Sequence, residues 1–329
     1  MMTSGDGGFK VRPVNPALRT TPLQSGMSTP VTTLLAVLLL HACSPIGALN
    51  ALAPRDGISV TRDIAYAEGP RHTLDVYAPR HGVRAPVVVF FYGGGWQTGD
   101  RAMYRFVGAA LAARGVMVVI PDYRLHPEVR FPGFMEDGAA AVAWAYHNAA
   151  RFGGDPRRLF LMGHSAGAHI ATLLALDRAY LRAAGLIPER DVCGVIGLAG
   201  PYDFLPQASD AVKAVFGPIE AWPRSQPINY ASALAPPMLL LAGKTDRSVD
   251  PGNTLRLASR LHAAGAIVQV HLEPGISHRA IIVAFADTLA FLAPVRRQTL
   301  DFIASQVTCG ERISEASAAR FQPAPATRE

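Results

Sequence analysis

The chain has 329 residues, half of them hydrophobic and 17% charged, so it can bury a substantial core and reads as one large α/β domain. Its formal charge of +6 comes from cations spread singly or in pairs such as Arg157-Arg158 and Arg296-Arg297; with no basic stripe, nucleic acid is excluded as the expected partner. Three cysteines do not make a disulfide framework, and Cys193, inside the apolar run Val192 to Leu198, is expected to be a buried inert thiol.

The first fifty residues are rich in Pro, Thr, Ser and Gly until the apolar run Leu34 to Leu40. That run is shorter than the roughly 20 apolar residues that a membrane-spanning helix needs. Behind Lys10, Arg12 and Arg19 it has the layout of a signal peptide. The exit, Leu40-His41-Ala42-Cys43-Ser44, resembles a bacterial lipoprotein signal, which implies that Cys43 becomes the lipidated first residue of a mature, exported, membrane-anchored chain. The alternatives are export without an anchor, or an uncleaved tail on a cytoplasmic protein, with Met27 as a second candidate start.

After a linker ending near Gly57, Val60 to Tyr66 and His72 to Tyr77 alternate apolar and polar residues around Glu68-Gly69-Pro70, as an antiparallel hairpin with one wet face does. The runs Val87 to Phe91, Val116 to Ile120, Leu159 to Met162, Val192 to Leu198, Met238 to Leu241 and Ile267 to His271 are almost continuously apolar, the pattern of parallel strands covered on both faces. Between them the spacing predicts helices over Ala102 to Arg114, Met135 to Arg151, Ala166 to Leu181 and Thr254 to Ala264, with a long carboxyl-terminal helix from about Arg279. Strand and helix alternate, so a doubly wound, mostly parallel sheet follows. The proline-rich stretch Pro201 to Pro237 is too long for an ordinary connection and is expected as a small insertion over the carboxyl edge of the sheet.

Chemistry gathers where the run ending at Met162 meets Gly163-His164-Ser165-Ala166-Gly167 and becomes helical. A serine on such a strand-to-helix turn stands exposed at the sheet's carboxyl edge, and the first N–H groups of the helix face the place where negative charge develops on a substrate. A nucleophilic serine needs a base, and the base a partner that orients it. Downstream, the loop after Leu239 to Leu241 carries Asp246 and the loop after Leu272 carries His278, both at the same sheet edge as Ser165 and in the order serine, acid, histidine. Asp250 is the competing acid, but Asp250-Pro251 reads as the cap and first turn of the next helix. Gly93-Gly94-Gly95-Trp96 follows the first parallel strand; Gly94 and Gly95, with Ala166, are the candidate oxyanion-hole donors.

These residues, together with Asp122 to Glu128, Phe131-Pro132, Asp137 and Gly153-Gly154-Asp155-Pro156, resemble the α/β-hydrolase esterases of the hormone-sensitive-lipase and feruloyl-esterase-like branches. The resemblance runs from about Arg71 to the helix after His278 and implies the α/β-hydrolase fold and a serine carboxylic-ester hydrolase without cofactor or metal, acting on a small-molecule ester with short acyl or aryl groups. It leaves arylformamidase and prenylcysteine methylesterase chemistry as alternatives, and a binding module that has lost catalysis as a rival of another class. Tyr92 stands where the family usually has histidine, which implies an altered pocket floor.

Several residues have plainer readings. The glycines at 93 to 95 lack the Lys-Ser/Thr of a phosphate loop, and His164 and His169, five apart with no carboxylate at ligand spacing, do not make a metal site. Asp122, His126, Glu128, Tyr202 and Asp203 read as loop-fixing groups, and Trp96, Phe131, Phe216 and Trp222 as pocket lining or core. The expected organisation is a signal peptide over 1–42, a linker over 43–57, the catalytic domain over 58–308 and a disordered tail over 309–329.

Overall fold

The computed structural model describes residues 45–81, 84–306 and 309; the signal-like segment, Cys43 and residues 310–329 lie outside them. In chain order the elements are α1 (Pro45–Ala51), β1 (Ile58–Ala65), β2 (Thr73–Pro79), β3 (Ala85–Phe91), α2 (Arg105–Ala112), β4 (Met117–Pro121), α3 (Gly133–Asn148), β5 (Gly154–His164), α4 (Ala166–Leu176), α5 (Arg178–Ala183), α6 (Pro188–Asp191), β6 (Gly194–Leu198), α7 (Asp210–Phe216), α8 (Trp222–Ser225), β7 (Met238–Gly243), α9 (Gly252–Ala263), β8 (Val268–Glu273), α10 (Ala280–Val283) and α11 (Val295–Ser305).

The eight strands form one sheet in the order β1-β2-β4-β3-β5-β6-β7-β8. β2 pairs antiparallel with β1 and β4, and the rest are parallel, as the hairpin followed by alternating elements predicts. The central strands are buried almost throughout, because Val, Ile, Leu and Phe point to both faces and helices cover both. Val88, between Val118 and Phe160 in register, is fully buried, and on one face Phe160 meets Phe302 of α11 at 6.4 Å between ring centroids. The edges are open: β1 is mostly exposed, and β8, expected to be covered on both faces, alternates half-buried and exposed positions up to the buried Glu273, with no further strand beside it among the described residues.

Two predicted helical stretches are subdivided. The helix from Ala166 stops at Leu176, because the Asp177 carboxylate accepts from the Ala179 N–H (3.2 Å) and so caps a new helix, α5. The long carboxyl-terminal helix is instead α10, a single turn over Asp287–Leu289 and α11, which starts after Pro294. The linker expected over 43–57 carries α1, and its Asn50 donates to the Ala102 carbonyl (2.8 Å) and accepts from the Phe106 N–H (3.0 Å) in the first turn of α2.

The reading of Cys193 as an inert thiol is corrected. Cys193 is joined to Cys309 in a disulfide between residues 116 apart in sequence, with the two Cα atoms 4.7 Å apart. It ties the chain just after α11 to the entry of β6. Packing of α11 across the sheet brings the two sulfurs together, which spacing along the chain does not reveal.

Candidate active site

At the junction of β5 and α4, Ser165 holds φ +57° and ψ −123°, and its N–H donates to the Leu198 carbonyl of β6 (2.9 Å). The glycines around it are dictated by closeness. A Cβ at Gly163 would lie 2.2 Å from the backbone of Gly167, and one at Gly167 would lie 2.0 Å from the carbonyl oxygen of Phe91. The helix is thus pressed onto the ends of β3 and β5, and the serine turns outward.

The structure brings the three predicted side chains together. Ser165 Oγ lies 2.9 Å from His278 Nε2, and His278 Nδ1 lies 2.7 Å from Asp246 Oδ2. With the carboxylate ionised, Nδ1–H donates to Asp246, which leaves the Nε2 lone pair facing the serine hydroxyl. The other oxygen of Asp246 accepts from the N–H groups of Ser248 (2.8 Å) and Val249 (3.0 Å). Burial raises the pKa of this carboxyl, but the hydrogen bonds from His278 and those two amides outweigh it and take the group below its ordinary value. Asp250, the rival, is not the carboxylate bonded to His278: its side chain is 68% exposed, accepts from Gly252 N–H in the first turn of α9 (2.9 Å) and pairs with Arg256.

The predicted glycine loop bends over the serine. Gly94 has φ +137°, and a Cβ there would lie 2.0 Å from the Thr98 carbonyl, so only glycine fits. Its carbonyl accepts from the N–H groups of Gln97 (3.1 Å) and Thr98 (3.0 Å), which closes the loop, while the N–H groups of Gly94, Gly95 and Ala166 have no acceptor among the described residues. Unpartnered backbone donors beside an activated hydroxyl can hold a developing oxyanion.

A cavity of about 760 Å³ opens onto this centre, walled by Trp96, Phe204, Leu205, Val212 and Val249, with Ser165 and His278 at its base. The Pro201 to Pro237 insertion supplies much of that wall. It is short helices with polar fasteners: His169 Nε2 donates to the Ser225 carbonyl (2.7 Å), Gln226 Oε1 accepts from the N–H groups of Phe204 and Leu205, and Asn253 Oδ1 accepts from those of Tyr202 and Asp203. Trp96 is a wall residue stacked on Phe204 (5.7 Å) with Phe216 edge-on (4.8 Å), and Phe131 packs behind Phe216. Trp222 braces the insertion instead, donating to the Gly217 carbonyl (3.0 Å).

Tyr92 does not form the pocket floor. It is buried behind the loop, stacked between Tyr104 and Tyr123, and its hydroxyl accepts from Arg71 (2.7 Å). Asp122 fixes the neighbouring loop through the Arg101 N–H (2.8 Å), and Asp137 is paired with Arg124 (2.6 Å).

Two positioning residues escaped the sequence. His164 Nε2 donates to the backbone carbonyl of His278 (2.9 Å), which fixes the loop that carries the base; burial pushes its pKa down to about 3, so its ring is neutral. His169 is likewise buried and pushed down to about 4. The signal was their place: two histidines flanking the elbow in an otherwise apolar stretch need buried partners.

The BD-FAE family model matches residues 74–261. The isoprenylcysteine alpha-carbonyl methylesterase ICME of Arabidopsis thaliana is 31% identical over 241 residues, 67% of this chain and 56% of that protein. Esterase LipC of Mycobacterium tuberculosis is 30% identical over 237 residues, 66% of this chain and 59% of that one. The chain thus spans between half and two thirds of the length of these curated relatives. Among solved structures, esterase B from Lactobacillus rhamnosis superposes with a TM-score of 0.69 at 22% identity, covering 87% of this chain and 97% of that one. The esterase of Pyrobaculum calidifontis gives 0.65 at 22% identity, covering 87% and 94%. Both share the α/β-hydrolase fold.

Proposed function

Since the chain belongs to the BD-FAE family, with more than half of its length matched, we propose that it is a serine carboxylic-ester hydrolase that works by acyl transfer and needs no cofactor. The reading rests on one observation above all: a serine hydroxyl 2.9 Å from an imidazole that is itself 2.7 Å from a buried carboxylate, beside backbone N–H groups with no other partner among the described residues. In this reading Ser165 Oγ attacks the ester carbonyl while His278 Nε2 takes its proton. Asp246 holds the Nδ1 proton and stabilises the imidazolium, and the N–H groups of Gly94, Gly95 and Ala166 hold the tetrahedral oxyanion, each worth ~3 kcal/mol to the transition state. His278 then protonates the departing alcohol, and water repeats the cycle on the acyl-serine.

The apolar side chains of Trp96, Phe204, Leu205, Val212 and Val249 suit a short or aryl acyl group, while Asp203, Gln207, Ser209, Asn253 and Arg256, which also line the cavity, offer polar contacts to the rest of the ester. The 31% identity to a protein named as an isoprenylcysteine methylesterase supports a second reading, a methyl ester whose acyl part carries an apolar chain. One panel separates these: nitrophenyl esters of rising acyl length, the methyl ester of a farnesylated cysteine, and a formylated aromatic amine. The short esters are expected to turn over fastest, and Ser165→Ala to remove hydrolysis and serine-directed phosphonate labelling while leaving the far-ultraviolet spectrum unchanged. Labelling that persists in the variant overturns the nucleophile.

The proposed location is the periplasmic side of a bacterial membrane, with Cys43 as the lipidated residue. The Cys193–Cys309 bond supports export, because disulfides persist in oxidising compartments. Fractionation of wild type beside Cys43→Ser checks the anchor: the wild type is expected in the membrane and the variant in the soluble exported fraction. A soluble cytoplasmic wild type rejects it.

A further inference from the structure

A second cavity, of about 330 Å³, lies at the opposite edge of the sheet from Ser165. It is lined by Asn50, Ala53, Pro54 and Arg55 of the entering chain, by Ile58, Val60 and Arg62 of β1, by Tyr77 of β2, and by Arg105 and Ala109 of α2. The register Val60↔Tyr77 and Tyr77↔Val118 puts it beside the start of parallel β4, whereas Ser165 follows the carboxyl end of β5. This cavity therefore has no part in the chemistry proposed above.

Its charge is unbalanced. Arg55, Arg62 and Arg105 all line it, none of the three makes an ion pair among the described residues, and the Nε of Arg105 is buried with no hydrogen-bond partner. The carboxylate nearest the aromatic wall, Asp75, is bound by Arg101 Nε (2.9 Å) and lies 3.4 Å from the Tyr77 hydroxyl, so its charge is already offset. Elsewhere in this molecule arginines do find carboxylates, as Arg101, Arg124, Arg157 and Arg190 show. A buried guanidinium donor left unsatisfied costs free energy that a bound anion recovers.

We propose that this cavity binds an organic phosphate, with the guanidinium groups of Arg55, Arg62 and Arg105 on the phosphate oxygens and the organic part against Ile58, Val60, Ala109 and the ring of Tyr77. Three guanidinium-bearing side chains around one cavity suit the several oxygens of a phosphate, because each offers a planar fork of donors. The volume exceeds what inorganic phosphate fills, and apart from Asn50 and the Tyr77 hydroxyl the remaining wall is apolar. The same chemistry is offered by a phospholipid headgroup and by a soluble phosphate ester.

The test uses the full chain carrying Cys43→Ser, so that no lipid anchor contributes, beside the same chain with Arg55→Gln and Arg62→Gln, both exposed positions. Calorimetric titration with glycerol 3-phosphate is expected to give saturable binding that the double variant weakens at least about tenfold. Co-sedimentation with vesicles of phosphatidylglycerol and of phosphatidylcholine identifies the source. Retention on the first alone, lost in the double variant, assigns a lipid headgroup; glycerol 3-phosphate binding without vesicle retention assigns a soluble ester. Hydrolysis of a soluble nitrophenyl ester should be unchanged in the double variant, so the outcome is independent of the catalytic reading. No binding of either probe at millimolar concentration, or equal binding by both chains, overturns the proposal.

Discussion

At Ser165 the backbone takes φ +57°, a conformation that costs a side-chain-bearing residue on the order of 1–3 kcal/mol and persists only where its surroundings enforce it. Here β5, α4 and the Leu198 carbonyl enforce it, so the hydroxyl stays at a fixed distance from His278. The geometry that favours Asp246 over Asp250 belongs to the same scale. Asp246 is shielded and receives two amide hydrogen bonds besides that of His278, whereas Asp250 is open to water and serves α9. Asp246→Asn should therefore lower turnover by ~10⁴-fold, because an amide favours the wrong imidazole tautomer, while Asp250→Asn should lower it by no more than a few fold. Steady-state kinetics on a nitrophenyl ester check the ranking, and the reverse order would show that the wrong carboxylate was chosen. Both carboxylates were legible as candidates from their place after β7. The amides that hold Asp246 were not, because any residue type can supply an N–H.

Between elements, the two buried histidines act as couplings. His164 joins the end of β5 to the loop of His278, and His169 joins α4 to the end of α8 in the insertion. Their folded-state values, about 3 and about 4, lie below the ~6.5 of an unfolded chain, chiefly because burial disfavours the charged ring. Between those limits the unfolded chain binds protons that the native state does not. The stability they contribute is therefore complete above about pH 6.5 and is lost as pH falls toward 3 to 4. Urea midpoints should drop steadily from pH 7 to pH 4. His169→Gln, which keeps a donor for Ser225, should flatten that slope by nearly one proton, ~1.4 kcal/mol per pH unit; an unchanged slope would rule out His169 as a source. The strands were legible because their apolar runs are short and bounded. The break between α4 and α5 was not, since Asp177 is a good cap only once its carboxylate reaches the Ala179 N–H.

Across the whole molecule, the Cys193–Cys309 bond closes a loop of 116 residues that includes β6, the insertion, Asp246 and His278. In the chain-entropy view a crosslink over so long a loop restricts the unfolded chain strongly, so its removal should cost about 2–5 kcal/mol. The variant Cys193→Ala with Cys309→Ala should unfold at a lower urea concentration than the wild type, and dithiothreitol should bring the wild type to the same midpoint. Because the bond lies at the opposite end of β6 from Leu198, which anchors the Ser165 N–H, the folded variant should keep its turnover on a nitrophenyl ester.

The sequence by itself determined the doubly wound sheet, the elbow at Ser165, the order of serine, acid and histidine, and the glycine loop, because each is local: a hydrophobic period, a close approach that only glycine permits, a polar residue just past a strand. Tertiary structure alone decided what depends on segments distant in the chain meeting in space. It closed the Cys193–Cys309 bond, placed Tyr92 behind the loop instead of in the pocket, fastened α1 to α2 through Asn50, and gave His164 and His169 their partners. It also gathered Arg55, Arg62 and Arg105 around one cavity, three arginines whose spacing along the chain carries no pattern. A buried hydrogen bond or a shared cavity is a property of two chain segments at once, and no window of residues contains both.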